Sequence, residues 1–108
     1  MGSAGTGGSP GSVIQLPREC IDVLTWRGIQ DRIEEAIAAG HRRIIIVGAG
    51  VVKFSSLGLG TLIAYANRMK NLGGTLVLTA FSKQAKRPFE ICRIEHSFLW
   101  EDTEPAKQ

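Results

Sequence analysis

The chain is poor in aromatic residues, cysteine and histidine, and one long stretch of it carries no acidic residue. Only 6% of its 108 residues are Phe, Trp or Tyr. No basic stripe is interleaved with those rings, so neither base stacking nor phosphate tracking is provided for, and nucleic-acid binding is not indicated. Cys20 and Cys92 lie far apart and form no C-x-x-C pair; the simplest reading is reduced thiols in a cytoplasmic protein. His41 and His96 stand alone, without companions at ligand spacing, so no metal is expected. The longest apolar run is far short of a bilayer span, and no segment has the layout of a secretory signal. No membrane partner is expected. The charged residues form no general acid–base pair, so no enzyme is expected either.

What remains is ordinary for one soluble globular domain. Hydrophobic residues make up 44% and charged residues 21%, with a net charge of +3. Lys and Arg are scattered along the chain, as on a solvated surface.

Residues 1–12, "MGSAGTGGSPGS", are too rich in Gly and Ser to pack a core. They read as a flexible leader, native or left from recombinant expression. "MGSAGT" also fits the degenerate N-myristoylation pattern, which is too short to carry weight. A domain over 13–103 and a tail over 104–108 follow. "VIQL" at 13–16 and "CIDVL" at 20–24 read as short extended segments around a turn at Pro17. Thr25 is then a good N-cap for a helix through Ala39, with Ile29, Ile33, Ala36 and Ile37 on one face and Gly40 ending it. "RRIIIV" at 42–47 is β-branched and continuously apolar, a strand covered on both faces. A second helix runs from Ser55 or Ser56 to Asn71, with Leu59, Leu62, Ile63, Ala66 and Met69 as its core stripe. "TLVLT" at 75–79 is a strand, 84–94 a helix with Pro88 as an irregularity, and 97–101 a last short strand. Strand, helix, strand over 42–79 forms a right-handed crossover with parallel strands. The fold class is α/β, a single small domain with a mixed, mainly parallel sheet and helices packed on it.

"IIIVGAGVVKFSSLGLG", residues 44–60, admits two readings. A dinucleotide fold needs G-x-G-x-x-G with the helix starting inside the loop. Gly48 and Gly50 match, but Lys53 holds the third glycine position, and no Asp or Glu occurs from 54 to 89 to hold a ribose. Val51 and Val52 are poor helix starters. The Walker pattern is absent too, so no nucleotide cofactor is expected. The other reading starts the helix at the serines. Ser55 can cap it, and Ser56 sits in the first turn, where a phosphate would meet unpartnered N–H groups and the positive end of the helix dipole. On physics alone, both serines acting only as caps is the simpler account. Leu57, Thr61, Ala64 and Arg68 fall opposite the core stripe, with Tyr65 at its border. Gly58 and Gly60 each cost up to about 1 kcal/mol relative to Ala in a helix. They suggest close approach of another backbone, a partner's or a neighbouring loop's.

Residues 51–100 resemble a STAS domain, the fold of bacterial anti-sigma factor antagonists. The resemblance rests on "SSLGLG" at 55–60, matching D-S-S-G-L or S-S-A-G-L at a helix start, then "GGTLVLT" at 73–79 and "FEICRI" at 89–94. Upstream, "IDVLTWRGIQDRIEEAI" at 21–37 resembles the family's L-D-x-x-T-A segment, extending the similarity to about residues 13–103. It implies that Ser56 is the serine phosphorylated in switching members. Ser55 falls on a position that is often Asp, and Leu57 on one that is often Ser or Ala. The implied partner is an anti-sigma factor that is also a serine kinase. Unphosphorylated antagonist sequesters it, phosphorylation ends the binding, and a phosphatase restores it. The expected partner surface is Ser55, Ser56, Leu57, Gly58, Gly60, Thr61 and Ala64. Two other classes compete: a STAS adaptor or scaffold subunit without a phosphate cycle, and a nucleotide-binding enzyme built on "VGAG".

Overall fold

The computed structural model describes residues 11–101. The tail over 104–108, the acylation pattern and most of the leader lie outside these residues. The leader's last two residues do not: strand β1 spans Gly11–Gln15, so Gly11 and Ser12 belong to the domain. Next come β2 (Glu19–Cys20), α1 (Val23–Ala38), β3 (Arg43–Val47), β4 (Lys53–Phe54) and α2 (Ser56–Asn71). The chain continues through β5 (Thr75–Thr79), α3 (Lys83–Ile91), a 3-10 turn at Glu95–Ser97 and β6 (Leu99–Glu101). The main sheet has the order β1-β3-β5-β6, and β2 and β4 form a separate pair. Every pairing among the described residues is parallel, as the crossover argument requires.

Register fixes the two faces of the sheet. Ile14, Ile46, Leu78 and Trp100 are aligned across the four strands, and the first three are buried in one core with Ile29, Ile33, Leu62, Met69 and Phe89 from the helices. The other face carries the row Val13, Ile45, Val77 and Leu99. The Arg43 guanidinium pairs with the Glu101 carboxylate on that face. By register they stand at the levels of Thr75 and Thr79, so the ion pair spans the level of Val77, which is fully buried.

All three helices end in one way. Gly40, Gly73 and Arg93 have φ of 94°, 80° and 58°, and the next residues' N–H groups, of His41, Gly74 and Ile94, donate to Ala36, Met69 and Phe89 carbonyls at 3.0, 2.7 and 3.0 Å. This is the Schellman closure, which satisfies carbonyls the helix leaves over.

The structure corrects four local expectations. Helix α1 is capped by Asp22, whose Oδ1 accepts from the Thr25 N–H at 2.7 Å; Thr25 lies inside the first turn. Aspartate is the better N-cap, and its use shortens the extended segment at 20–24 to Glu19–Cys20. Strand β4 was not expected; two residues are too few to show a period. Helix α3 is shifted and shortened: Ser82 caps it by accepting from the Ala85 N–H at 3.0 Å, and Pro88 lies in its interior. The last strand begins at Leu99, after the 3-10 turn.

Candidate functional site

Each helix follows the carboxyl end of a strand: β1 leads to α1, β3 to α2 and β5 to α3. In a parallel sheet this brings all three helix N-termini to one end of the molecule, the end where open α/β folds bind. The "GAG" segment does not open a helix there. Gly48 extends the ladder by donating to the Thr79 carbonyl at 2.9 Å, and a Cβ on it would meet the Phe81 ring at 2.6 Å. Gln15 Nε2 fastens the turn by donating to the Ala49 carbonyl at 3.0 Å. Strand β4 then separates these glycines from α2.

The β2–β4 pair holds the serine turn. The Val52 N–H donates to the Arg18 carbonyl at 2.8 Å and the Ser55 N–H to the Cys20 carbonyl at 3.1 Å. That same Cys20 oxygen accepts from the Ser55 hydroxyl at 3.3 Å and the Trp26 indole N–H at 2.8 Å. Ser55 therefore occupies the N-cap position of α2, but its side chain does not cap. It is half-buried, while Ser56 is exposed and its hydroxyl has no protein hydrogen bond among the described residues. The two serines are thus chemically different. Ser55 is a structural tie and Ser56 a free hydroxyl in an uncapped first turn.

Gly58 and Thr61 do not lie on the outer strip. A Cβ on Gly58 would fall inside the Trp26 indole, and Thr61 is only 8% exposed. The close approach signalled by Gly58 is thus made by a ring of α1, not by another backbone. Helix α2 buries two stripes, Leu59, Leu62, Ala66 and Met69 against the sheet and Gly58, Thr61 and Tyr65 toward α1. Leu57, Gly60 and Ala64 are exposed, and nothing lies within 4 Å of a Cβ built on Gly60. Tyr65 donates to Glu34 Oε2 at 2.7 Å, and Arg68 pairs with the same carboxylate. This lowers the Glu34 pKa, chiefly through the Arg68 hydrogen bond. Burial, then the bond to Glu34, pushes the Tyr65 phenol up to about 12.

Besides Leu57, which the sequence reading already placed on the partner surface, the structure exposes large apolar residues that this reading missed, among them Ile21, Val23, Leu24 and Val52, with Leu24 at 76%. Ile21 sits on the β2–α1 connection, Val23 and Leu24 open α1, Val52 precedes β4 and Leu57 lies in the first turn of α2. The alternation in "CIDVL" signals apolar content but not its exposure. Beneath them runs a network of rings. Trp26 contacts Phe54 at 5.4 Å, Phe54 contacts Phe89 at 5.4 Å, and Phe89 contacts Trp100 at 5.3 Å between centroids. With Phe81 and Phe98 also joined to it, the network uses all four Phe and both Trp of the chain.

No curated protein matches the chain. Solved structures that share its architecture include two of the protein TM1081. The NMR structure is 16% identical, with 88% of this chain and 76% of that chain covered at a TM-score of 0.77. The crystal structure, from Thermotoga maritima and described as a candidate anti-sigma factor antagonist, is 13% identical. It covers 92% of this chain and 86% of that one at a TM-score of 0.76. At such identities the likeness carries the fold. The STAS domain family model matches residues 8–106. A match over nearly the whole chain, together with the parallel sheet and the serine turn at its carboxyl edge, places the chain in the STAS domain family.

Proposed function

We propose that this STAS domain is a cytoplasmic anti-sigma factor antagonist of a bacterial regulatory circuit, switched by phosphorylation at Ser56. It binds an anti-sigma factor that is also a serine kinase and so frees a sigma factor. The kinase's phosphate ends the binding, and a phosphatase restores it. The domain itself carries out no catalytic step. The observation that supports this most is the contrast at the α2 start: a free, exposed Ser56 hydroxyl, followed by exposed Leu57, beside an engaged Ser55. The partner surface in this reading is Ser56, Leu57, Gly60 and Ala64. Ser55, Gly58 and Thr61 hold the turn from beneath.

The switch follows from charge. A phosphoserine carries about −1.5 to −2 charges near neutral pH. In the uncapped first turn of α2, backbone N–H groups and the helix dipole stabilise it. The fold therefore survives the modification. A partner seated over Ser56 and Leu57 would have to bury the dianion, which is costly without a matching cation. Ser56→Asp is expected to weaken binding to the anti-sigma kinase by about tenfold or more, about 1.4 kcal/mol, in isothermal titration. Unchanged affinity would remove the switch.

A scaffold role without a phosphate cycle is favoured by one separate feature. Val13 and Leu99, on the edge strands of the second sheet face, are 61% and 46% exposed. Light scattering distinguishes the readings: a stable homo-oligomer that Val13→Asp dissolves supports the scaffold.

A further inference from the structure

A groove of about 390 Å³ opens beside the serine turn, between β4 and α3, lined by Ile21, Val51, Val52, Phe54, Ala85 and Pro88, with Lys53 and Gln84 at its edge. Val51 and Ala85 are buried and form the floor, while Val52 stands 52% exposed on one wall. On the other wall, Gln84, Pro88 and Ile91 fall on one stripe of α3, and Ile91 is 70% exposed. The polar groups that fix a small ligand's orientation are few here, and the apolar rim extends past the groove, as in a protein contact.

Three features define the occupant. The first is a strand edge. The Lys53 and Ser55 N–H groups donate to the Arg18 and Cys20 carbonyls. In a parallel pair alternate residues point opposite ways, so the N–H and C=O of Phe54 face the groove. The second is charge. Lys53, Lys83 and Arg87 flank the groove by position, and none is ion-paired among the described residues. The chain has no acidic residue between Glu35 and Glu90, and the acid brought beside Lys53 by register is Glu19 of β2. The third is Pro88. A proline inside a helix costs about 3 kcal/mol, and Pro88 stands at the sixth position of α3. Its ring forms part of the groove wall, and it has no N–H to give the Gln84 carbonyl. Local rules broken in this way concentrate at functional sites.

We infer that this groove binds an extended segment of a partner protein in which apolar and acidic residues alternate. Main-chain bonds to Phe54 set its register. Alternate side chains then enter the groove or reach the flanking cations, in the manner of strand addition. This surface does not depend on the phosphate switch.

The test is a ¹H–¹⁵N NMR titration of the full chain with three capped heptapeptides. One alternates leucine with glutamate, one replaces glutamate by lysine, and one replaces leucine by serine. The first should shift resonances of residues 52–54 and 84–91, and the other two should bind about tenfold more weakly. Lys53→Glu should weaken the glutamate peptide and strengthen the lysine peptide, a reversal that simple loss of fold does not produce. Absence of shifts in the groove, or equal binding of the lysine peptide, overturns the proposal. So do groove shifts that follow protein concentration alone, which would make a second copy the occupant. Ser56→Ala should leave the titration unchanged, so failure of the groove and failure of the switch are separately visible.

Discussion

At the scale of single residues, the Cys20 carbonyl is the hub of the site. It accepts from Ser55 twice and from Trp26, so the turn that presents Ser56 is tied to the start of α1. Gly58 makes room for the indole that completes this tie. Gly58→Ala should push Trp26 out and destabilise the domain by about 1–3 kcal/mol, measurable by urea unfolding, with altered Trp26 fluorescence in the native state. Equal stability would show the ring free to yield. Titratable groups follow the same geometry. Tyr65 is raised from 10.0 to about 12 by burial and its bond to Glu34, and Cys20 from 9.0 to about 11 by burial. Groups raised in the folded state stabilise it fully below their ordinary values and lose that contribution as pH climbs through the folded ones. Stability should therefore fall between about pH 9 and 12. Tyr65→Phe should remove the upper part of that fall in pH-dependent urea unfolding, and a curve identical to the parent's would contradict the assignment.

At the scale of elements, what was legible in the sequence had enough length to show a period or a distinctive stop. Strands β3 and β5 were legible as short apolar β-branched runs. Helix α2 showed its sheet-facing stripe, and Gly40 and Gly73–Gly74 marked the ends of α1 and α2. Strands β2 and β4, two residues each, have no period. Their pairing, which positions Ser55 and Ser56, exists only once distant segments meet. The burial of Thr61 was hidden for a similar reason. A single stripe predicts one neighbour, whereas α2 packs on both the sheet and α1. Helix α3 was blurred by Pro88, and its end by Arg93, a non-glycine residue with φ of 58° in the closing position. A side chain there costs about 1–2 kcal/mol relative to the right-handed region. Arg93→Gly should raise stability by about 1 kcal/mol in thermal or urea unfolding, and a loss of stability would mean that the arginine makes a contact worth more than its strain.

At the scale of the whole molecule, the fold gathers three helix starts, an uncapped serine and several exposed apolar residues at the carboxyl edge of a parallel sheet. The six rings of the Phe–Trp network extend from Trp26 under that edge to Trp100 on β6, so the presenting surface rests on a packed base. A surface that is rigid below and free at one hydroxyl suits a switch that changes charge and leaves shape alone. The most direct measurement is mass spectrometry of the chain after incubation with its switch kinase and ATP. The account predicts a single phosphate on Ser56 and none on the Ser56→Ala variant. A phosphate on Ser55, or full phosphorylation of Ser56→Ala, would contradict it.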